Sequence, residues 1–304
     1  MARIFLTRIV DGEALDRLRA VHTVEVWTGD APPTREELIT GLGDAEGLLC
    51  MLSDRIDADV IAAAPRLRAI ANYAVGTDNV DLDAALARGI AVGNTPNVLT
   101  DATADLAFAL MLAAARHLPA AERSVRADEW GTWEATRWNG AEVHGATLGI
   151  VGFGRIGRAV ARRAEGFSMN VLATRATPLA ELLARSDFVS LHCPLTPETH
   201  HLIDAAALSR MKSSAILINT ARGGIVDQQA LGEALRKGTI GGAALDVTDP
   251  EPMRADDPLL NAPNLIVLPH IGSATHATRS RMTELAVANL LAALAGQPMP
   301  NAVV

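Results

Sequence analysis

One stretch limits the fold of this chain more than any other. Residues 148–163, LGIVGFGRIGRAVARR, carry an apolar strand pattern into Gly152-x-Gly154-x-x-Gly157 and straight on into a helix pattern. Each glycine has a mechanical reason to be there. Gly152 permits a tight turn, Gly154 lets backbone approach a pyrophosphate, and Gly157 lets helix and strand pack closely. The helix start then offers unpaired N–H groups to phosphate. Such glycines alone are weak evidence, but between a strand and a helix they read as a dinucleotide-binding turn rather than a structural one. Arg155 and Ile156 ride on the same turn and join the expected cofactor contacts.

On both sides of the turn the chain alternates between strand and helix patterns. Strands are expected at 4–9, 23–27, 47–52, 67–73 and 90–93, then near 147–152, 170–174, 188–193, 214–220, 241–247 and 264–269. Among the helices, TREELITGL (34–42) opens with Thr34 and Glu37 in capping-box spacing, and NVDLDAALARG (79–89) closes on Arg88 and Gly89. This alternation predicts an α/β protein of two Rossmann-like, doubly wound parallel-sheet domains. The first covers 1–97 and is completed by 285–304, because the helix pattern at 277–296 returns to it; the second covers 98–284. Within 94–118 lies a helix apolar on nearly all sides, expected to be buried as an inter-domain spine or a subunit interface. Residues 127–145 hold Trp130, Trp133 and Trp138, show no period, and read as a long loop.

Bulk properties exclude several classes. A chain of 304 residues can form two cores, and its net charge of −8 argues against a nucleic-acid surface. The longest apolar helix pattern runs for about 12 residues, short of the ~20 a membrane span needs. The N-terminal MARIFL enters a strand pattern without a charged-then-apolar leader, so a cytoplasmic chain is expected. Cys50 and Cys193 sit in apolar runs without metal-ligand spacing and are expected as reduced thiols, with no metal site.

Which dinucleotide binds is set at the end of the strand after the glycine turn. An NAD site places Asp or Glu there, about 20 residues on, for the ribose diol. Here the segment reads NVLATRATP (170–178), with Arg175 in that place. Because the acid is missing as well as the arginine present, Arg175 is expected to meet a 2′-phosphate, giving NADP(H) as the preferred cofactor with NAD(H) also usable.

Three further motifs follow in order: NTARGGIVD (219–227), ALDVTDPEP (244–252) and LPHIGSAT (268–275). With the glycine turn ahead of them, the chain resembles the D-isomer-specific 2-hydroxyacid dehydrogenases over almost its whole length. The stretch from DVTDPEP through PHIGSATHATRSRM to NLLAALAGQPMPN is most similar to the glyoxylate/hydroxypyruvate reductase branch. The resemblance implies reduction of a small 2-keto acid to the D-2-hydroxy acid by a nicotinamide cofactor, and the apolar helix at 99–118 favours a homodimer.

That reaction needs a cation for the carboxylate, an acid for the nascent alkoxide and a hydride donor beside them. Arg222, before Gly223 and Gly224, can grip a carboxylate at two points. His270 follows the apolar run 265–268, which reads as a buried strand, and an imidazole with an ordinary pKa near 6.5 suits proton donation. Glu251, between Pro250 and Pro252, would favour the imidazolium form that donates. Asp246 by resemblance accepts from the nicotinamide carboxamide, with a strand-end turn role as the alternative. Val75 and Gly76, in NYAVGTDNVD (72–81), match a substrate loop whose N–H groups bind carboxylate. Thr103, Cys193, Pro194, Thr220, Ala221, Gly272 and Ser273 match cofactor-lining positions in relatives. Trp138 matches a loop that reaches a neighbouring subunit, His192 reads as structural, and His200 and His201 as a solvated loop.

One departure from the pattern stands out. Only 176–178 separate Arg175 from the next helix pattern, where relatives spend a further helix and short strand. Two other functions share the architecture. One is a different 2-hydroxyacid dehydrogenase, for example acting on 3-phosphoglycerate; those often carry a regulatory domain, and this chain ends at Val304 without one. The other is a dinucleotide-sensing corepressor, but no added peptide-binding or disordered tail is recognisable here.

Overall fold

Each of the eleven strand patterns becomes a strand, and every strand pairing is parallel. The computed structural model describes residues 1–10 and 12–304. They form two units, Met1–Leu99 with Ala274–Val304, and Thr100–Ser273.

The first unit contains β1 (Arg3–Leu6), α1 (Glu13–Val21), β2 (Thr23–Val26), α2 (Arg35–Leu42) and β3 (Gly47–Cys50). It continues through α3 (Ala58–Ala63), β4 (Ala69–Asn72), α4 (Leu82–Ala87) and β5 (Ala91–Gly93). Its sheet order is β2-β1-β3-β4-β5. Strands β3 and β4 are buried throughout, as strands covered on both faces must be. One core joins Leu38, Leu42, Val60, Ile61 and Ile70. The other joins Leu15, Leu18 and Leu49 to Met282, Val287 and Leu290 of α11 (His276–Leu294). Thr34 and Glu37 form the expected capping box at the start of α2.

The second unit opens with α5 (Thr100–Ala115) and α6 (Leu118–Arg126), then β6 (Thr147–Val151), α7 (Arg155–Glu165), β7 (Asn170–Ala173) and α8 (Leu179–Arg185). It closes with β8 (Phe188–Leu191), α9 (Ala205–Arg210), β9 (Ile216–Asn219), α10 (Gln228–Lys237), β10 (Gly242–Leu245) and β11 (Leu265–Val267). The sheet runs β11-β10-β9-β8-β6-β7. Phe108, Met111, Ile150, Val160 and Ile218 fill one face, while Leu182, Leu208, Leu217, Leu231 and Leu235 fill the other.

Two differences from the sequence expectation have physical causes. Strands are one to three residues shorter than their apolar runs, because apolar residues record burial whereas a strand also needs pairing. Strand β11 is half-buried, because it lies at the edge of its sheet. The apolar helix within 94–118 is α5, which ends ahead of the left-handed His117 (φ 53°) and packs on α7 and strands β9 and β10.

Two features of chain routing bear on the site. All of α11 goes with the first unit, so the chain returns at Ala274, where the sequence suggested 285. At the other end of the second sheet, β7 is an edge strand, and five residues (174–178) link it to α8. The strand and helix that would extend a six-stranded dinucleotide sheet beyond β7 are missing.

Candidate active site

In a parallel sheet, ligands bind beyond the carboxyl ends of the strands, where the strand order reverses. The second sheet reverses at β6, which has β7 on one side and β8 on the other. The glycine turn follows β6. Gly152 has a φ of 92°, open only to glycine without strain, and a Cβ there would run into the backbone of His192 and Cys193 after β8. A Cβ at Gly157 would strike the Gly152 carbonyl. Thr174 Oγ1, at the end of β7, accepts from the Gly152 N–H at 3.1 Å and so ties the turn to the neighbouring strand.

Two observations fit this end of the sheet to a dinucleotide. A Cβ at Gly154 would meet only open space, and Gly154 starts α7 without a side-chain cap, which leaves room at a helix N-terminus. Thr220 Oγ1 is buried with no hydrogen-bond partner among the described residues, as a group reserved for a ligand would be. Arg175 is exposed in the turn after β7 and makes no ion pair among the described residues. Desolvation lowers the His192 imidazole to about 4, so the ring is neutral; it bonds Ser190 Oγ at 2.8 Å. Burial raises the Cys193 thiol and keeps it protonated.

Asn219, fully buried at the end of β9, shapes the Arg222 turn. Its Nδ2 donates to the Arg222 carbonyl at 2.8 Å, and its Oδ1 accepts from the Ala221 N–H at 3.0 Å. Arg222 itself donates to the Ala221 carbonyl at 2.9 Å. A Cβ at Gly223 would collide with the Thr248 backbone, so a glycine is needed to seat this turn against the segment after β10.

Asp246 is the organiser of the next two strand ends. It is 1% exposed, and its two oxygens accept from the Ile271 N–H at 2.7 Å and the Gly272 N–H at 2.8 Å. Its carbonyl accepts from the His270 N–H at 2.9 Å. Burial pushes its carboxyl above the ordinary value, against the lowering effect of the Ile271 N–H, His270 and the Gly272 N–H. Thr103 Oγ1, from α5, donates to the Gly272 carbonyl at 3.3 Å. His270 is thereby held at φ 54°, a left-handed conformation that costs a non-glycine residue roughly 1–2 kcal/mol. Hydrogen bonds to a charged acceptor contribute about 1.5–3 kcal/mol each, so the grip of Asp246 outweighs the strain.

The strained loop presents His270 Nδ1 to Glu251 Oε1 at 2.5 Å. The pair is largely enclosed, with 19% of the His270 and 29% of the Glu251 side chain exposed. With Nδ1 committed to the carboxylate, Nε2 is the ring atom left for a reactant.

The sequence motifs therefore converge in the second unit at five strand ends: β6, β7, β9, β10 and β11. Val75 and Gly76 lie in the first unit, in the turn after β4. Sequence reading missed Asn219 and Thr174. The signal for Asn219 was present, since an amide closes the apolar run ILIN just as a histidine follows LIVL. His200 and His201 are exposed and stack on each other at 4.0 Å, and the His201 N–H donates to the Gly224 carbonyl at 2.8 Å.

Such a sheet, with a nucleotide turn at its switch point and a carboxylate-backed histidine at a strand end, defines an NAD(P)-dependent oxidoreductase. Known proteins narrow the class. The family model for the NAD binding domain of D-isomer specific 2-hydroxyacid dehydrogenases matches residues 108–272. A glyoxylate reductase of Korarchaeum cryptofilum is 48% identical, covering 99% of this chain and 95% of that one. The solved TT0316 protein of Thermus thermophilus superimposes with a TM-score of 0.94 at 50% identity, covering 99% of this chain and 100% of its own. An NADPH-dependent glyoxylate/hydroxypyruvate reductase of Sinorhizobium meliloti, solved with NADP and malonate, has a TM-score of 0.88 at 33% identity, covering 100% and 97%. This chain belongs to the D-isomer specific 2-hydroxyacid dehydrogenase family.

The grip of Asp246 on the histidine loop is directly testable. In Asp246→Asn one oxygen becomes an NH2 that faces a backbone N–H and leaves it unpaired. The expected loss is about 1–3 kcal/mol of unfolding free energy, measured by urea titration. An unchanged midpoint would show that other contacts hold the loop.

Proposed function

We propose that the protein reduces glyoxylate and hydroxypyruvate to glycolate and D-glycerate, with NADPH as the preferred cofactor. The observation that carries this reading is the His270–Glu251 pair at 2.5 Å, held at the carboxyl end of the same parallel sheet that carries the dinucleotide turn. The names of the relatives above support the choice of substrates.

Arg222 binds the substrate carboxylate, its fork supplying two parallel donors. By resemblance to the family, the N–H groups of Val75 and Gly76 also bind carboxylate. A reduced nicotinamide, when bound, supplies the hydride to the keto carbon. His270 holds a proton at Nε2 and passes it to the carbonyl oxygen as that oxygen gains negative charge. Glu251 stabilises the imidazolium until the transfer and keeps the ring oriented through Nδ1. Asp246 fixes the histidine loop and, by resemblance to the family, also accepts from the carboxamide. Thr103, Cys193, Pro194, Thr220, Ala221, Gly272 and Ser273 line the cofactor, while Gly152, Gly154, Arg155, Ile156 and Gly157 hold its pyrophosphate.

Arg175 takes the 2′-phosphate, supported by its exposure, its lack of an ion-pair partner among the described residues and the absence of an acid after β7. A homodimer is part of this reading. Trp130, Trp133 and Trp138 are 67%, 81% and 38% exposed, more aromatic surface than a monomer ordinarily shows. Trp138 also lines a cavity of about 470 Å³ with Arg116, Glu142, His144 and Phe167. The two free thiols support a cytoplasmic location.

Replacing His270 by Ala should lower kcat by about 10²–10⁴ with little change in NADPH affinity, the range for a lost general acid. Turnover near wild type at saturating glyoxylate would remove His270 from that role. In Glu251→Gln the ring loses the carboxylate that orients it through Nδ1, so kcat should fall, though by less than in His270→Ala. Steady-state kinetics at saturating glyoxylate check this; an unchanged kcat contradicts the pairing.

Cofactor choice is tested at Arg175. A charge-assisted contact to the 2′-phosphate, screened at an exposed position, should favour NADPH over NADH by about tenfold. Arg175→Asp should weaken NADPH far more than NADH, as read from kcat/KM for both at one ionic strength. Equal use of the two cofactors by the unaltered protein would mean that Arg175 does not reach the phosphate.

A further inference from the structure

The turn after β4 carries an arrangement that the chemistry above does not explain. Three successive carbonyl groups in it are each held by polar groups of the first unit. The Ala74 carbonyl accepts from the Thr95 N–H at 2.8 Å and from Thr95 Oγ1 at 3.1 Å. The Val75 carbonyl accepts from Asn94 Nδ2 at 2.7 Å. The Gly76 carbonyl accepts from Asn72 Nδ2 at 2.8 Å.

The holding groups are themselves fixed. Asn72 and Thr95 are fully buried, and Asn72 exchanges hydrogen bonds with Asn79 at 2.9 and 3.2 Å. Asn94 is clamped from α11 and the C-terminal segment. Asn289, fully buried, donates to the Asn94 carbonyl at 3.0 Å, and its Oδ1 accepts from the Asn301 N–H at 3.0 Å. The Asn94 N–H donates to the Asn301 carbonyl at 3.2 Å.

A trans peptide is planar, with its C=O and N–H antiparallel. Fixing three carbonyls therefore fixes three N–H groups, those of Val75, Gly76 and Thr77, each turned away from the group that holds its own carbonyl. A hydrogen bond on the carbonyl also polarises the N–H of the same amide and strengthens it as a donor. Successive oriented N–H groups of this kind suit an anion.

We infer that Asn94, Asn72 and Thr95 are positioning residues that preset the Val75–Thr77 amides for the carboxylate of a small 2-keto acid. This inference rests on the proposed function, which assigns the substrate carboxylate to Val75 and Gly76. It adds the Thr77 N–H as a third donor and names the side chains that hold the set. Because the amides are held before substrate arrives, binding needs little rearrangement of the loop, and the advantage falls on ground-state binding. Losing an anchor should thus raise KM while leaving kcat nearly alone.

The test compares Asn94→Leu, which keeps size but removes the donor, with Thr95→Val, which removes only the hydroxyl. Two quantities are read for each: steady-state constants for glyoxylate, and calorimetric affinity of the NADPH-loaded enzyme for oxamate, a carboxylate that is not reduced. Asn94→Leu should raise the glyoxylate KM and the oxamate Kd together by about tenfold, the scale of one charge-assisted hydrogen bond. Its kcat should stay within about threefold and its NADPH Kd within about twofold, a split that general damage to the fold would not produce. Thr95→Val, with its N–H still in place, should weaken oxamate by about threefold. Unchanged oxamate affinity in either variant overturns the inference, as does an equal loss of NADPH affinity in Asn94→Leu. A wild-type protein that neither reduces glyoxylate nor binds oxamate would overturn the functional reading itself, and the inference with it.

Discussion

The carboxylate of Asp246 is the contact on which the second unit's chemistry depends. A buried, ionisable group at the end of β10 collects two backbone N–H groups from the segment after β11, and its own carbonyl takes a third. Those bonds force His270 into a left-handed conformation that a histidine would not otherwise hold. The histidine then meets Glu251, only five residues beyond Asp246. One short segment, 246–251, thus supplies both the clamp on the histidine loop and the carboxylate that partners the ring. Neighbouring strands in a parallel sheet end side by side, so this closeness follows from the pairing of β10 with β11.

The same logic of paired strand ends recurs twice. Between β6 and β7 it is Thr174 holding the Gly152 turn. Between β9 and β10 it is Asn219, which accepts from the Asp246 N–H through its carbonyl at 2.8 Å and orders the Arg222 turn through its side chain. Each case places a polar residue where an apolar strand runs out, Asp246 and Asn219 buried and Thr174 half-buried. An unpaired buried polar group is costly, so each finds a backbone partner nearby, Thr174 and Asp246 on the next strand end and Asn219 in its own turn. Thr220 is the exception, a buried hydroxyl without a partner among the described residues, as expected beside a cofactor.

Much of this was legible in the sequence. The eleven strands showed themselves because apolar runs in a parallel sheet are nearly continuous, and the glycine turn because its spacing serves one geometry. His270, Glu251 and Arg222 stood out by chemistry that fits no core. What was hidden depends on contacts distant in sequence. Nothing near Asp246 says that its oxygens are spent on Ile271 and Gly272, 25 and 26 residues away. Nothing around Asn94 reveals that its amide reaches Val75, or that Asn289 holds it from behind. The edge position of β11 was equally unreadable, because the run Leu265–Leu268 looks the same at the edge as in the middle of a sheet.

In the proposed function, hydride reaches a ketone held by its carboxylate and the proton comes from His270. The most direct test is the product formed from hydroxypyruvate and NADPH by the purified protein, resolved by chiral chromatography and compared with the NADPH consumed. Glycerate of the D configuration alone, one molecule for each NADPH oxidised, is the predicted result. The L isomer, a racemate, or no oxidation of NADPH would contradict it.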